Sequence, residues 1–256
     1  MKCAKIKFHK ISELAPDALE QLRKQKIFFG HQSVGNNIIE GLKELAAEDP
    51  KFELNIIRLK EFGPLKKPGF YHSAIGKNDF PKTKIDDFVK AMTSGIGATA
   101  NMALLKFCFV DITSTTDINE LFDYYAEKME ELHKRFPDLK LVHVTVPLLR
   151  RNKSGIKAYI KRLLGKKDGF FDDSHNIARN KFNEMLREKY TGKEPLFDLA
   201  KFESTYPDGN RSCFSSGGEV FYSLVPEYTD DGGHLNEKGR RIIAEQLLYF
   251  LSRISS

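Results

Sequence analysis

The sequence predicts a three-layer α/β/α sandwich, a parallel sheet with helices on both faces. Three observations lead there. Short β-rich runs alternate with longer amphipathic stretches along the whole chain. One run, residues 102–112 (MALLKFCFVDI), is almost continuously apolar, the pattern of a strand buried on both faces. Finally, no repeat and no Pro/Gly/Ser-rich linker divides the 256 residues, so residues 1–256 read as one domain with one large core.

The elements follow in order. Residues 26–29 (KIFF) form a short apolar strand ending at Gly30. Residues 34–47 are helical, with Ile38, Ile39, Leu42 and Leu45 on one face and Asp49-Pro50 as the stop. Residues 52–59 alternate as a second strand. A long Gly/Pro/Lys-rich loop then runs to about Thr83, and residues 85–92 are helical. After the apolar third strand, 117–136 is an acidic amphipathic helix closed by Pro137, and 139–146 is a fourth strand stopped by Pro147. Residues 174–190 are helical, 196–199 make a short fifth strand, and 236–252 form the last helix. Five strands joined by helices give a flavodoxin-like five-stranded parallel sheet. In such sheets the site lies beyond the carboxyl ends of the strands, where the winding reverses. That places it near Gly30 to Ser33 and Val110-Asp111.

Charge and composition exclude several classes. The chain carries +6, but residues 150–169 (RRNKSGIKAYIKRLLGKKDG) hold eight basic residues and one acid, leaving the remainder at −1. Ile156, Tyr159, Ile160, Leu163 and Leu164 fall there at helical spacing, so the segment reads as a basic helical insertion with a solvated face. No nucleic-acid motif accompanies it, and no nucleic-acid partner is expected. Nor does any run of about 18 apolar residues suggest a membrane span. Three cysteines without paired spacing predict neither a disulfide framework nor a zinc set, and no apolar segment follows the positive N-terminus. A reducing, cytoplasmic setting is the expectation, with no metal and no cofactor.

Two loops carry the chemistry. Gly30-His31-Gln32-Ser33-Val34-Gly35 has the glycine spacing of a phosphate loop, but Asn36 and Asn37 stand where Lys and Ser/Thr are needed. Ser33 alone suits a helix N-cap. At the far end, Asp231-Gly232-Gly233-His234 precedes the last helix and also suits a turn. Together the loops supply what nucleophilic catalysis requires: a serine, a histidine base, and a carboxylate to fix the base's tautomer. His143 lies inside a strand and reads as a core residue. His72 and His175 lie in loops able to line the site.

In these two blocks and their order the chain resembles the SGNH (GDSL-like) hydrolase superfamily, with His31-Gln32-Ser33 replacing Gly-Asp-Ser. The resemblance implies Ser33 as nucleophile, His234 as general base and acid, and Asp231 as its orienting carboxylate. It also implies an oxyanion hole built from the Ser33 N–H, a glycine N–H and an asparagine side chain. The family's Gly-x-Asn-Asp block is missing at the end of the third strand, where Phe109-Val110-Asp111-Ile112 stands, and an ionised Asp111 would repel an oxyanion. Gly76-Lys77-Asn78-Asp79 spells that block earlier, so Gly76 and Asn78 are the expected donors, although the pair equally suits a turn. Gln32, Asp111 and His72 are candidates to contact substrate. Phe70, Tyr71, Phe214, Phe221 and Tyr222 lie in the two long loops, placed to roof the crevice. The expected activity is hydrolysis of an O-acyl ester, small-molecule or carbohydrate-linked, by a serine esterase. Acyl transfer to a sugar hydroxyl, or a non-catalytic member that binds glycan or a partner, are the alternatives.

Overall fold

The computed structural model describes residues 5–151 and 171–255. Its centre is a parallel sheet of six strands: β1 (Lys26–His31), β2 (Ile56–Arg58), β3 (Gly69–Ala74), β4 (Met102–Leu105), β5 (Lys140–Val144) and β6 (Leu196–Phe197), in the order β2-β3-β1-β4-β5-β6. The helices are α1 (Pro16–Arg23), α2 (Ser33–Glu48), α3 (Pro81–Ala91), α4 (Ile118–Arg135), α5 (Asp173–Tyr190), α6 (Leu199–Glu203) and α7 (Glu237–Ile254). A separate antiparallel hairpin joins β7 (Cys213–Ser216) to β8 (Glu219–Tyr222).

The sandwich is the expected one, with six strands instead of five. The added strand is β3, inside the stretch read as a loop. Pro64, Lys66, Lys67 and Pro68 punctuate the approach to it, yet Phe70, Tyr71 and His72 are buried between β1 and β2. Without β2, the order β3-β1-β4-β5-β6 is that of a flavodoxin-like sheet, and β2 is an extra edge strand. The winding therefore reverses between β1 and β4.

Period-two alternation divides the core. Ile27, Phe29, Met102 and Leu104 face the layer of α1, α2 and α7, while Phe28, Ala103 and Leu105 face that of α3, α4 and α5. Helices α2 and α7 approach closely because residue 41 is glycine: a Cβ there would lie 2.4 Å from the Arg240 carbonyl oxygen. Glu44 accepts from Arg240 Nε at 2.9 Å beside that contact. No described helix is long and apolar enough to cross a membrane. The expected basic helix at 150–169 lies, beyond Arg150 and Arg151, outside the described residues. The cysteines depart from expectation: Cys213 is disulfide-bonded, whereas Cys108 is free and buried.

Candidate active site

The carboxyl ends of β1 and β4 open into a cavity of about 390 Å³, into which the loop before α7 also projects. Ser33, Asn78, Cys108, Phe109, Asp231 and His234 are among its lining residues. Ser33 is the first residue of α2, and the N–H groups of a first helical turn have no intrahelical acceptor. Gly35 is required below it, since a Cβ there would come within 2.3 Å of the His31 ring.

His234 Nδ1 lies 2.6 Å from Asp231 Oδ2. The other carboxylate oxygen accepts the N–H groups of Gly233 and His234, both at 2.8 Å. Desolvation raises the Asp231 pKa, but these hydrogen bonds outweigh it and hold the group at about 2. Asp231 is thus an anion at neutral pH, its partner nitrogen Nδ1 carries the proton, and Nε2 is left as the acceptor. The loop is fastened at several points. Thr229 Oγ1 accepts the Gly232 N–H at 2.8 Å, the Gly232 carbonyl accepts the Arg150 N–H at 2.8 Å, and Asn37 Oδ1 accepts the Leu235 N–H at 3.2 Å. Phe109 packs edge-on against the His234 ring at 5.5 Å.

Ser33 and His234 share the cavity without a hydrogen bond between them. The serine Oγ is instead 3.5 Å from Cys108 Sγ. Asn78 lines the cavity, and Lys84 Nζ donates to its Oδ1 at 2.9 Å. An ammonium can only donate, so this contact fixes the amide orientation and leaves Nδ2 as the free donor.

The other expected contacts fall elsewhere. Gly76 does not line the cavity: its backbone is left-handed (φ 55°) and its N–H donates to Asp87 Oδ2 at 2.8 Å, so that donor is spent. Asp111 is no substrate contact, because it is fully buried as the partner of Lys84 and also accepts the N–H groups of Cys108 at 2.6 Å and Asp79 at 3.2 Å. Gln32 braces the β3–α3 loop through the carbonyls of Ile75 (2.8 Å) and Gly76 (2.9 Å). His72 is buried on His31, its Nδ1 3.0 Å from His31 Nε2. Since His31 Nδ1 faces the Gln32 carbonyl, which can only accept, His31 presents Nε2 as acceptor and His72 donates. Burial lowers both, His31 to about 3 and His72 to about 4, so the pair is neutral. The expected aromatic roof is also absent: Phe70, Tyr71, Phe214 and Phe221 are buried, Arg211 covers Tyr222, and the cavity takes its aromatic walls from Phe109 and Phe171.

Sequence reasoning missed the residues beneath the cavity. Asn176 Oδ1 accepts the Leu149 N–H (3.0 Å) and Arg179 Nη1 (2.9 Å), and its Nδ2 returns a bond to the Leu149 carbonyl (2.8 Å). Arg179 Nε in turn donates to the Phe109 carbonyl at 2.7 Å. Leu149 and Phe109 both pack against the Gly233 backbone, where a Cβ would meet them at 2.7 and 2.9 Å. A signal did exist: Asn176, Arg179 and Asn183 share the helical stripe of Phe182 and Leu186, a polar set in register with an apolar face.

Comparison with solved structures gives the same architecture. A Streptococcus pneumonia protein provisionally described as a platelet activating factor aligns over 92% of this chain and 91% of its own, at 14% identity and TM-score 0.53. A Parabacteroides merdae protein provisionally described as a GDSL-like lipase aligns over 97% and 99%, at 11% identity and TM-score 0.51. No family model and no curated protein matches the sequence. The chain has the fold of the SGNH hydrolases.

Proposed function

We propose that this protein is a serine esterase that hydrolyses an O-acyl ester through Ser33, His234 and Asp231. The observation carrying the reading is the 2.6 Å His234–Asp231 contact beside a cavity that Ser33 also lines. His234 Nε2 takes the Ser33 proton as Oγ attacks the acyl carbon, and Asp231 stabilises the imidazolium that forms. The Ser33 N–H and Asn78 Nδ2 face the developing oxyanion, and the start of α2 adds the favourable end of its dipole. The protonated His234 then donates to the leaving alcohol, and water repeats the sequence to release the acid. The apolar walls of Phe109, Val110, Leu149 and Phe171 suit an acyl group better than a charged one.

The second reading, a non-catalytic binding member of the fold, is favoured by the Ser33–Cys108 contact standing where a Ser33–His234 bond is expected. Labelling with a serine-reactive fluorophosphonate separates the two. Esterase chemistry requires that the wild type is labelled while Ser33→Ala and His234→Ala are not. A folded wild type that resists labelling would assign the cavity to binding alone.

A further inference from the structure

A second cavity, of about 450 Å³, opens on the same edge of the sheet, lined by Arg58, Leu59, Lys60, Ser73 and Ala74. Arg58 ends β2 and Ala74 ends β3, so the cavity lies beyond the carboxyl ends of those strands, as the Ser33 cavity lies beyond β1 and β4. Strand spacing puts the two roughly 5–10 Å apart along the sheet edge. The chain between them is continuous in contact: Ser73 follows His72, whose ring meets His31, two residues before Ser33.

Its charge is uncompensated. Among the described residues the Arg58 and Lys60 side chains make no hydrogen bond, ion pair or ring contact, and no acidic residue lines the cavity. Other arginines of the described surface behave differently, Arg151, Arg187, Arg240 and Arg241 each holding a carboxylate. Two unpaired cations converging on one concavity repel each other and raise the local concentration of anions. The Arg58 guanidinium offers a planar fork matched to carboxylate, sulfate or phosphate oxygens, and Lys60 adds a point charge.

We infer that Arg58, Lys60 and Ser73 form a subsite for an anionic group carried by the substrate, a carboxylate, sulfate or phosphate beside the ester. The anion site stands on its own geometry, whereas its place in the substrate rests on the esterase reading. The ester is then one borne by an acidic molecule, with the acyl group in the apolar cavity and the charge held at the ends of β2 and β3.

The test has two arms. Inorganic phosphate is titrated into the full-length protein while the Arg58 Nε–H and Ser73 amide resonances are followed. Saturable shifts in the wild type that vanish in Arg58→Ala/Lys60→Ala are expected. Shifts that never saturate, or persist in the double variant, overturn the site. Circular dichroism of the variant establishes that it is folded, and both side chains are free of contacts that folding would need. In the kinetic arm, acetyl esters of galacturonic acid and of galactose are compared. The double variant raises KM for the acidic ester roughly 3- to 10-fold, as two partly exposed charge pairs would give, and leaves the neutral ester unchanged. Saturable phosphate binding with equal KM effects on both esters would show a site for free anions and overturn the substrate assignment. If neither ester is hydrolysed, the substrate assignment fails, fluorophosphonate labelling decides the esterase reading, and the phosphate arm still decides the anion site.

Discussion

The Ser33 hydroxyl rests 3.5 Å from the Cys108 thiol, not on the imidazole of His234. A thiol is a weak hydrogen-bonding partner, so this contact holds the serine loosely and a rotation of its side chain frees it. Cys108→Ala is therefore expected to keep fluorophosphonate labelling at the wild-type level. Cys108→Ser should slow it about 2- to 10-fold, the effect of one neutral hydroxyl bond competing for Ser33. Equal labelling rates for Ala, Ser and wild type would show that the contact does not restrain the nucleophile.

In the proposed mechanism Asp231 acts through His234. Asp231→Asn removes the charge and puts an amide where the His234 Nδ1–H needs an acceptor, favouring the wrong tautomer. A fall in hydrolysis of about 10³- to 10⁴-fold at unchanged KM is expected, by analogy with the serine-protease triad. Steady-state kinetics on a p-nitrophenyl ester measures it, and a loss below tenfold would remove Asp231 from the mechanism.

The pair Lys84–Asp111 is fully buried, with the carboxylate also holding the Cys108 N–H. Lys84→Met leaves that charge unpaired and should cost about 3–5 kcal/mol. Adding Asp111→Asn removes the stranded charge while keeping an oxygen for the Cys108 N–H, so the double variant should regain part of the loss. Urea denaturation reads both, and a double variant no more stable than Lys84→Met would contradict the stranded-charge account.

Arg179 fastens the Phe109 carbonyl beneath the cavity. Arg179→Ala deletes that bond and opens a void in the core, with an expected loss of about 2–4 kcal/mol. The wall it supports packs on the His234 loop, so labelling of Ser33 should also slow, measured at a temperature where the variant remains folded.

Histidines 31 and 72 make the fold acid-sensitive. In the unfolded chain each takes up a proton near pH 6.5, whereas the folded chain resists protonation down to about 3 for His31 and about 4 for His72. Between those limits the unfolded state binds more protons at these two positions, so their contribution to stability is full above pH 6.5 and falls as the pH drops towards 4. Each group contributes up to about 1.4 kcal/mol per pH unit. Urea midpoints between pH 7 and 5 measure it, and His72→Gln, which keeps a donor for His31, should lose less stability over that range than the wild type; equal losses would remove His72 from the account.

The residues that the structure gathers around one cavity were legible where they sit at element boundaries. Ser33 and His234 are flanked by glycines and bordered by clear periodic segments, so type and place could be read together. Gly76 misled because a glycine's conformational freedom is visible in sequence but the direction of its N–H is not: here it serves Asp87. Asp111 misled for a related reason, since its partner Lys84 lies 27 residues away on α3. The missed strand β3 shows a further limit: a strand between two others needs little alternation of its own, and the prolines before it speak louder. Arg179 and Asn176 carried a signal only in their register with Phe182 and Leu186, which shows a buried polar stripe but not which backbone groups it serves.

Glycine 41 has a consequence for the distance across the cavity. Ser33 opens α2 and His234 lies just before α7, about 200 residues further on. Those two helices are drawn together through the bare backbone at Gly41, against the Arg240 carbonyl. A side chain at position 41 would push α7 away from α2 and so move His234 relative to Ser33, although residue 41 touches neither.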